Sequence, residues 1–232
     1  MTHTRTLPTH SAPLRTRFAV ATALFAASLI GATGIQVAID SVPASANPPG
    51  PEAIVVQNID VGGGGAISSD GTHVWVAANS GMVDELDALS GSLIQSIDVG
   101  GANGPIESDG THVWVAHNSS SSVTELDAVT GTFVQTIGLD TSITALSSDG
   151  IHVWVAHNSS NSVTELDAVT GTVVQTIALT GHPNAIFSDG TDVWVTSPGP
   201  GTVTELDASD GSVIRTTSVG GQPNGISVGG NH

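Results

Sequence analysis

The chain has 232 residues, with 21 acidic side chains against 4 basic ones, 28 glycines, and neither cysteine nor tyrosine. The missing cysteines exclude a disulfide scaffold, a cysteine-ligated metal centre and a thiol nucleophile, and a formal charge of -17 argues against nucleic acid, which is held mainly by lysine and arginine. A hydrophobic fraction of 39% with 11% charged residues suits a chain that buries a core.

Arg5, Arg15 and Arg17 precede an apolar run from Phe18 to Ile39 that is broken by Gly31 and Gly34. A basic start, an apolar run and the small-residue site Ala44-Ser45-Ala46 match a secretory signal peptide, with cleavage expected after Ala46. The other reading is a retained membrane anchor, which the cleavage site disfavours. The expected division is signal peptide 1–46, linker 47–53 and repeat domain 54–232, with a secreted or periplasmic location and no membrane span after cleavage. The linker, Asn-Pro-Pro-Gly-Pro-Glu-Ala, cannot form a helix or a central strand. Beyond Ala46 the chain carries 20 acids, one base, Arg215, and no lysine.

A repeat follows. Trp75, Trp114, Trp154 and Trp194 are 39, 40 and 40 residues apart, and Asp70-Gly71, Asp109-Gly110, Asp149-Gly150 and Asp189-Gly190 keep the same spacing. A third column, Glu-Leu-Asp-Ala, starts at Glu85, Glu125, Glu165 and Glu205, each followed by a glycine at 91, 131, 171 and 211. Within the third copy, runs rich in Val, Ile, Thr and Trp predict strands over Ile143–Ser147, His152–Ala156, Ser162–Asp167 and Thr172–Leu179, and turn residues interrupt too often for helices. Four strands in a 40-residue period predict an all-β fold, a β-propeller of four-stranded blades.

The string from Asp149-Gly150 through Val153-Trp154-Val155-Ala156 and Asn161 to Asp167, ending in Thr170-Gly171 and Thr172 to Ile177, resembles the YVTN repeat of YncE-like β-propellers. More loosely it resembles the blades of the virginiamycin B lyase group. The resemblance covers Ile54 to Val228 and implies blade type, not function. An extra outer-strand copy, Ile54 to Val61, precedes the four units and an extra inner-strand copy, Pro223 to Val228, follows them, giving about four and a half blades. The similar propellers usually close with about seven. Three outcomes are open: a small closed ring, an open arc, or an arc completed by another copy of the chain.

The tryptophans are expected to fill the wedge between blades, and Asp70, Asp109, Asp149 and Asp189 to cap their own turns, where glycine supplies positive φ. Those aspartates could alternatively hold calcium. Glu85, Glu125, Glu165 and Glu205 have almost no cation to pair with, so they must be solvated or accept hydrogen bonds. Histidine offers the sharpest chemistry. His73, His112 and His152 begin the second strands. His117-Asn118 and His157-Asn158 are placed in the following loops and His182 in a later connection, so these five residues are the ligand-face candidates, able to converge on zinc or to act as a general base. No catalytic residue of the lyase group can be carried over.

These features favour a non-enzymatic binding or protein-interaction module whose partners are proteins, peptides or cell-envelope material, requiring no cofactor. The rivals are a metal-assisted lyase or lactone hydrolase with a divalent cation, calcium or zinc, and a truncated copy of a longer propeller without function of its own.

Overall fold

The computed structural model describes residues 64–101, 104–117 and 119–227, together with the backbone of two short strands, β1 (Ile35–Val37) and β2 (Gln57–Ile59), which pair antiparallel. The signal peptide and linker otherwise lie outside the described residues, as does Asn118. Among the described residues the chain is all-β, without a helix.

The repeat folds into four antiparallel four-stranded blades, each a meander in chain order. Blade 1 contains β3 (Gly64–Ser69), β4 (His73–Ala78), β5 (Met82–Asp87) and β6 (Leu93–Asp98). Blade 2 contains β7 (Ile106–Ser108), β8 (His112–His117), β9 (Ser122–Asp127) and β10 (Phe133–Gly138). Blade 3 contains β11 (Ala145–Ser148), β12 (His152–His157), β13 (Ser162–Asp167) and β14 (Val173–Ala178). Blade 4 contains β15 (Ala185–Ser188), β16 (Asp192–Ser197), β17 (Thr202–Asp207) and β18 (Val213–Ser218). The first strands lie side by side, β3 with β7, β7 with β11 and β11 with β15, and form the hub, while β6, β10, β14 and β18 form the rim. Among the described residues the blades make an open arc and do not close into a ring.

The half-blade copies behave differently from the expectation. Of Ile54–Val61, only Gln57–Ile59 is a described strand, and it pairs with Ile35–Val37 rather than with a blade. Residues 222–227 carry no strand, although Asn184 Nδ2 donates to the Asn224 carbonyl at 3.1 Å, one repeat further on.

Strand alternation builds the core. In β8, Trp114 and Ala116 face blade 3, while Val113 and Val115 face blade 1. The first joint therefore packs Trp75, Ala77 and Val83 against Val113, Val115, Leu126 and Ala128, and the next two repeat it. Trp75, Trp114 and Trp154 are wholly buried. Each ring removes on the order of 200 Å² from water, about 5 kcal/mol of gross hydrophobic stabilisation at about 25 cal/mol per Å².

Polar side chains stitch the same joints at hub and rim. At the hub, Ser108 Oγ donates to Asp70 Oδ2 at 3.1 Å, Ser148 to Asp109 at 2.6 Å and Ser188 to Asp149 at 2.6 Å, each across a blade boundary. At the rim, Gln95 Nε2 donates both to Glu85 Oε2 at 2.7 Å within its blade and to the Thr130 carbonyl at 3.1 Å in the next. Gln135 and Gln175 repeat this with Glu125 and Thr170, and with Glu165 and Asp210. The buried glutamates thus accept hydrogen bonds from glutamine. The glycine of the receiving turn is obligatory at this close approach: a Cβ on Gly131 would lie 2.1 Å from Gln95 Nε2, at a φ of +67°.

Each rim strand begins with a β-bulge, two residues opposing one: Leu93-Ile94, Phe133-Val134, Val173-Val174 and Val213-Ile214. All eight side chains are about half exposed.

Blade 4 departs from the pattern on its outward face. Trp194 is only partly buried, and Thr196, Arg215 and Thr217 stand where blade 3 has Ala156, Gln175 and Ile177. The Arg215 Nε bonds to Glu205, and the guanidinium lies 5.6 Å from the centre of the Trp194 ring.

Candidate functional site

The five ligand-face candidates do not meet in one cluster. His117 and His157 are the last residues of β8 and β12, not loop residues: the strands run one position beyond the alternation of Val and Ala, and each pairs with the serine opening the next strand. That placement turns both rings into the blade, where they are 3% and 0% exposed. His182 is exposed, and its Nδ1 lies 3.1 Å from the Asn158 carbonyl, while Asn158 Nδ2 donates to the Pro183 carbonyl at 3.2 Å. Asn158 and His182 are therefore tied together across blades 3 and 4, apart from His117 in blade 2. Asn118 lies outside the described residues. Among the described residues no group of three His, Asp or Glu side chains is disposed to hold a metal ion.

His157 sits in a defined hydrogen-bond chain. Its Nδ1 lies 3.0 Å from the Ser142 carbonyl, which can only accept, so this nitrogen carries the proton. Nε2 then accepts from the Thr164 hydroxyl at 3.0 Å, and Thr164 accepts in turn from Thr176 at 3.1 Å. Burial holds the imidazole below its ordinary pKa, against the raising effect of the Ser142 and Thr141 backbone bonds, and keeps it neutral. Blade 2 repeats part of the chain: His117 Nε2 to Thr124 at 2.7 Å, and Thr124 to Thr136 at 2.9 Å.

The joint of blades 2 and 3 opens beside His157 into a pocket of about 380 Å³, with Asp140, Thr141, Ser162, Thr164 and Thr176 among its walls. Gly138 helps to make the room. A Cβ there meets nothing within 4 Å, and blades 1 and 3 have Asp98 and Ala178 at that position. In the next joint the connection is packed tight, because a Cβ on Gly181 would lie 2.8 Å from both Ser197 and Pro200. The pocket offers hydroxyls that donate or accept, one exposed carboxylate, and a neutral imidazole already committed to the chain.

The opposite end holds a repeated structural cluster. Asp70 Oδ1 accepts from Thr72 N and His73 N, both at 2.8 Å, and Gly71 has a φ of +89°, as expected of a capped turn. Burial raises the Asp70 pKa, but these backbone bonds with those from Trp75 and Ser108 outweigh it, and the carboxyl stays below the ordinary range; Asp109 and Asp149 follow suit. His73 lies between Asp70 at 3.7 Å and Glu85 at 3.6 Å, and His112 and His152 sit likewise.

Glu107 is among the titratable groups that have no counterpart in the repeat. It occupies the hub column that reads Ser68, Glu107, Ser147 and Phe187, and its Oε2 lies 3.5 Å from Ser68 Oγ. Burial, with a smaller push from Asp109, raises its pKa to about 7 against the pull of Ser68. Aligning the four units and searching for the position that breaks its column finds it from sequence; tracking repeated residues passes over it.

No family model matches the chain, and no curated protein matches its sequence. Solved structures do match the fold. Hydrazine synthase of Kuenenia stuttgartiensis aligns with a TM-score of 0.60 at 20% identity, over 69% of this chain and 50% of that one. The apo form of AztD from Citrobacter koseri aligns with a TM-score of 0.59 at 15% identity, over 74% of this chain and 51% of that one. The chain spans about half the length of these structures, and at such identities the likeness concerns the β-propeller scaffold alone.

Proposed function

We propose that the protein is a secreted or periplasmic, non-enzymatic binding module on a YncE-like, YVTN-repeat scaffold, and that the pocket between blades 2 and 3 receives a hydroxyl- or amide-bearing group of a protein, peptide or cell-envelope ligand. The observation that carries this reading is the asymmetry of that joint: a cavity walled by hydroxyls opens where Gly138 interrupts its column, while the connection at Gly181 in the next joint is packed tight. Such groups orient a neutral polar ligand through hydrogen bonds.

Thr164 and His157 have the spacing of a nucleophile and its base. The same pair in blade 2 and the Thr176 hydroxyl lying against Thr164 favour a packing role over turnover. The signal-peptide pattern supports export, and an amino terminus at Asn47 in the exported protein is the expected result of mass spectrometry.

Gly138→Leu tests the site, because it fills the pocket from a position with free space and an unstrained backbone. On an array of envelope glycans and peptides, the native chain should retain a set of ligands that the variant loses, with melting unchanged. Retention of the same set by both proteins would overturn the reading.

A further inference from the structure

The rim carries a second surface, which shares only Val173 with the pocket walls. Rim strands have a neighbour on one side only, and an exposed sheet edge is normally blunted by charge or proline. Here the bulge breaks the edge ladder and presents two adjacent apolar side chains, in all four blades. Phe133 and Val134 are 61% and 47% exposed, Val173 and Val174 50% and 54%, and the turns before them add Val129 and Val169 at more than 75%. Exposed apolar residues scattered singly need no explanation, but a ladder recurring once per blade along one rim does.

The chemistry beside the ladder selects its occupant. The preceding turns place Asp127 and Asp167 next to the apolar pairs. In each, Oδ1 accepts the backbone N–H and hydroxyl of Thr130 or Thr170 at 2.8 Å, and these bonds hold the carboxyls below the ordinary range, so they stay charged in mild acid. Asp87 repeats the arrangement with Ser90. A second copy of a chain with a formal charge of -17 is repelled at such a surface, and the bulges prevent plain edge-to-edge pairing. An anionic lipid surface is repelled for the same reason.

We propose that the bulged rim ladder is a docking surface for a cationic polypeptide bearing apolar anchors: its aliphatic or aromatic side chains seat between the bulged pairs of neighbouring blades while its lysines or arginines meet the capped aspartates. This goes beyond the pocket, and none of the substitutions that test it alters a pocket wall, so the two stand or fall separately.

The test uses the full chain and a fluorescein-labelled amphipathic Leu/Lys peptide, with a Ser/Lys peptide of equal charge as control, read by anisotropy across a salt series. The Leu/Lys peptide should bind and weaken with salt, and the Ser/Lys peptide should bind about tenfold more weakly or not at all. The triple variant Phe133→Ser, Val134→Ser, Val174→Ser should lose about tenfold in affinity with melting unchanged, and Asp127→Asn with Asp167→Asn should flatten the salt dependence. Equal binding of the two peptides would reduce the effect to bulk charge and overturn the proposal. So would undiminished binding by the triple variant, a native dimer that the triple variant dissolves, or capture of the native chain by zwitterionic vesicles through the same residues.

Discussion

Glu107 is a carboxyl placed where the repeat elsewhere puts serine or phenylalanine, and its environment favours the protonated form. The native state holds that proton to about pH 7, whereas the unfolded chain releases it near the ordinary value of 4.5, so its contribution makes stability fall as pH rises through that window. Glu107→Gln should therefore match the native protein in acid and exceed it by about 2 kcal/mol above neutrality, as urea titrations at two pH values will read. Equal stability at both would show that the hub solvates the ionised form. At this scale the sequence was legible where a residue is repeated and opaque where it is not. The turn aspartates and wedge tryptophans follow from their columns, because a turn cap and a large ring have the same task in every copy. Sequence alone places His117 and His157 in loops, because a polar residue beside Asn-Ser resembles a loop start; the threonine on the adjacent strand, which gives the imidazole a buried partner, is seven residues away.

The blade was legible almost to the residue: in the third copy the structure keeps Ser162–Asp167 as expected and shifts other boundaries by one or two positions. The joint was not, since glutamine, glutamate and the next turn's glycine are separated by up to 46 residues and meet only when blades stack. Blade 4 shows how tightly they are coupled. It exchanges histidine for Asp192 and glutamine for Arg215 together. Burial first, then Glu205, Asp189 and Asp207, raises the Asp192 pKa, and Arg215 opposes them. A double-mutant cycle should reveal the dependence: Arg215→Gln should destabilise the native background by about 1 kcal/mol and cost less once Asp192→His is present. Additive effects would mean that Arg215 acts only by covering Trp194.

For the whole molecule, the four blades do not close into a ring among the described residues, which sets aside the small closed ring and leaves the open arc and the arc completed by another copy of the chain. Sequence periodicity left closure undecided because it depends on the angle between blades, which is set by side-chain volume at the joints and not by strand number. Among the described residues blade 4 has no blade in front of its outward face, which carries the exposed Arg215 and Thr217 and the buried Thr196, whose hydroxyl accepts from the Ala185 N–H. Returning these to Ala, Gln and Ile should recreate an internal joint with nothing packed on it, and light scattering should then show association where the native chain is less associated. An unchanged mass would assign the native face no protective role. The guanidinium over Trp194 also bears on how such a chain can grow. Copying an internal unit and inserting it upstream preserves every joint, whereas copying the final unit places an arginine and two threonines where the wedge has to be dry. Lengthening by duplication is thus permitted inside the array and penalised at its edge, so the fourth blade acts as a punctuation mark that the other three can be multiplied behind.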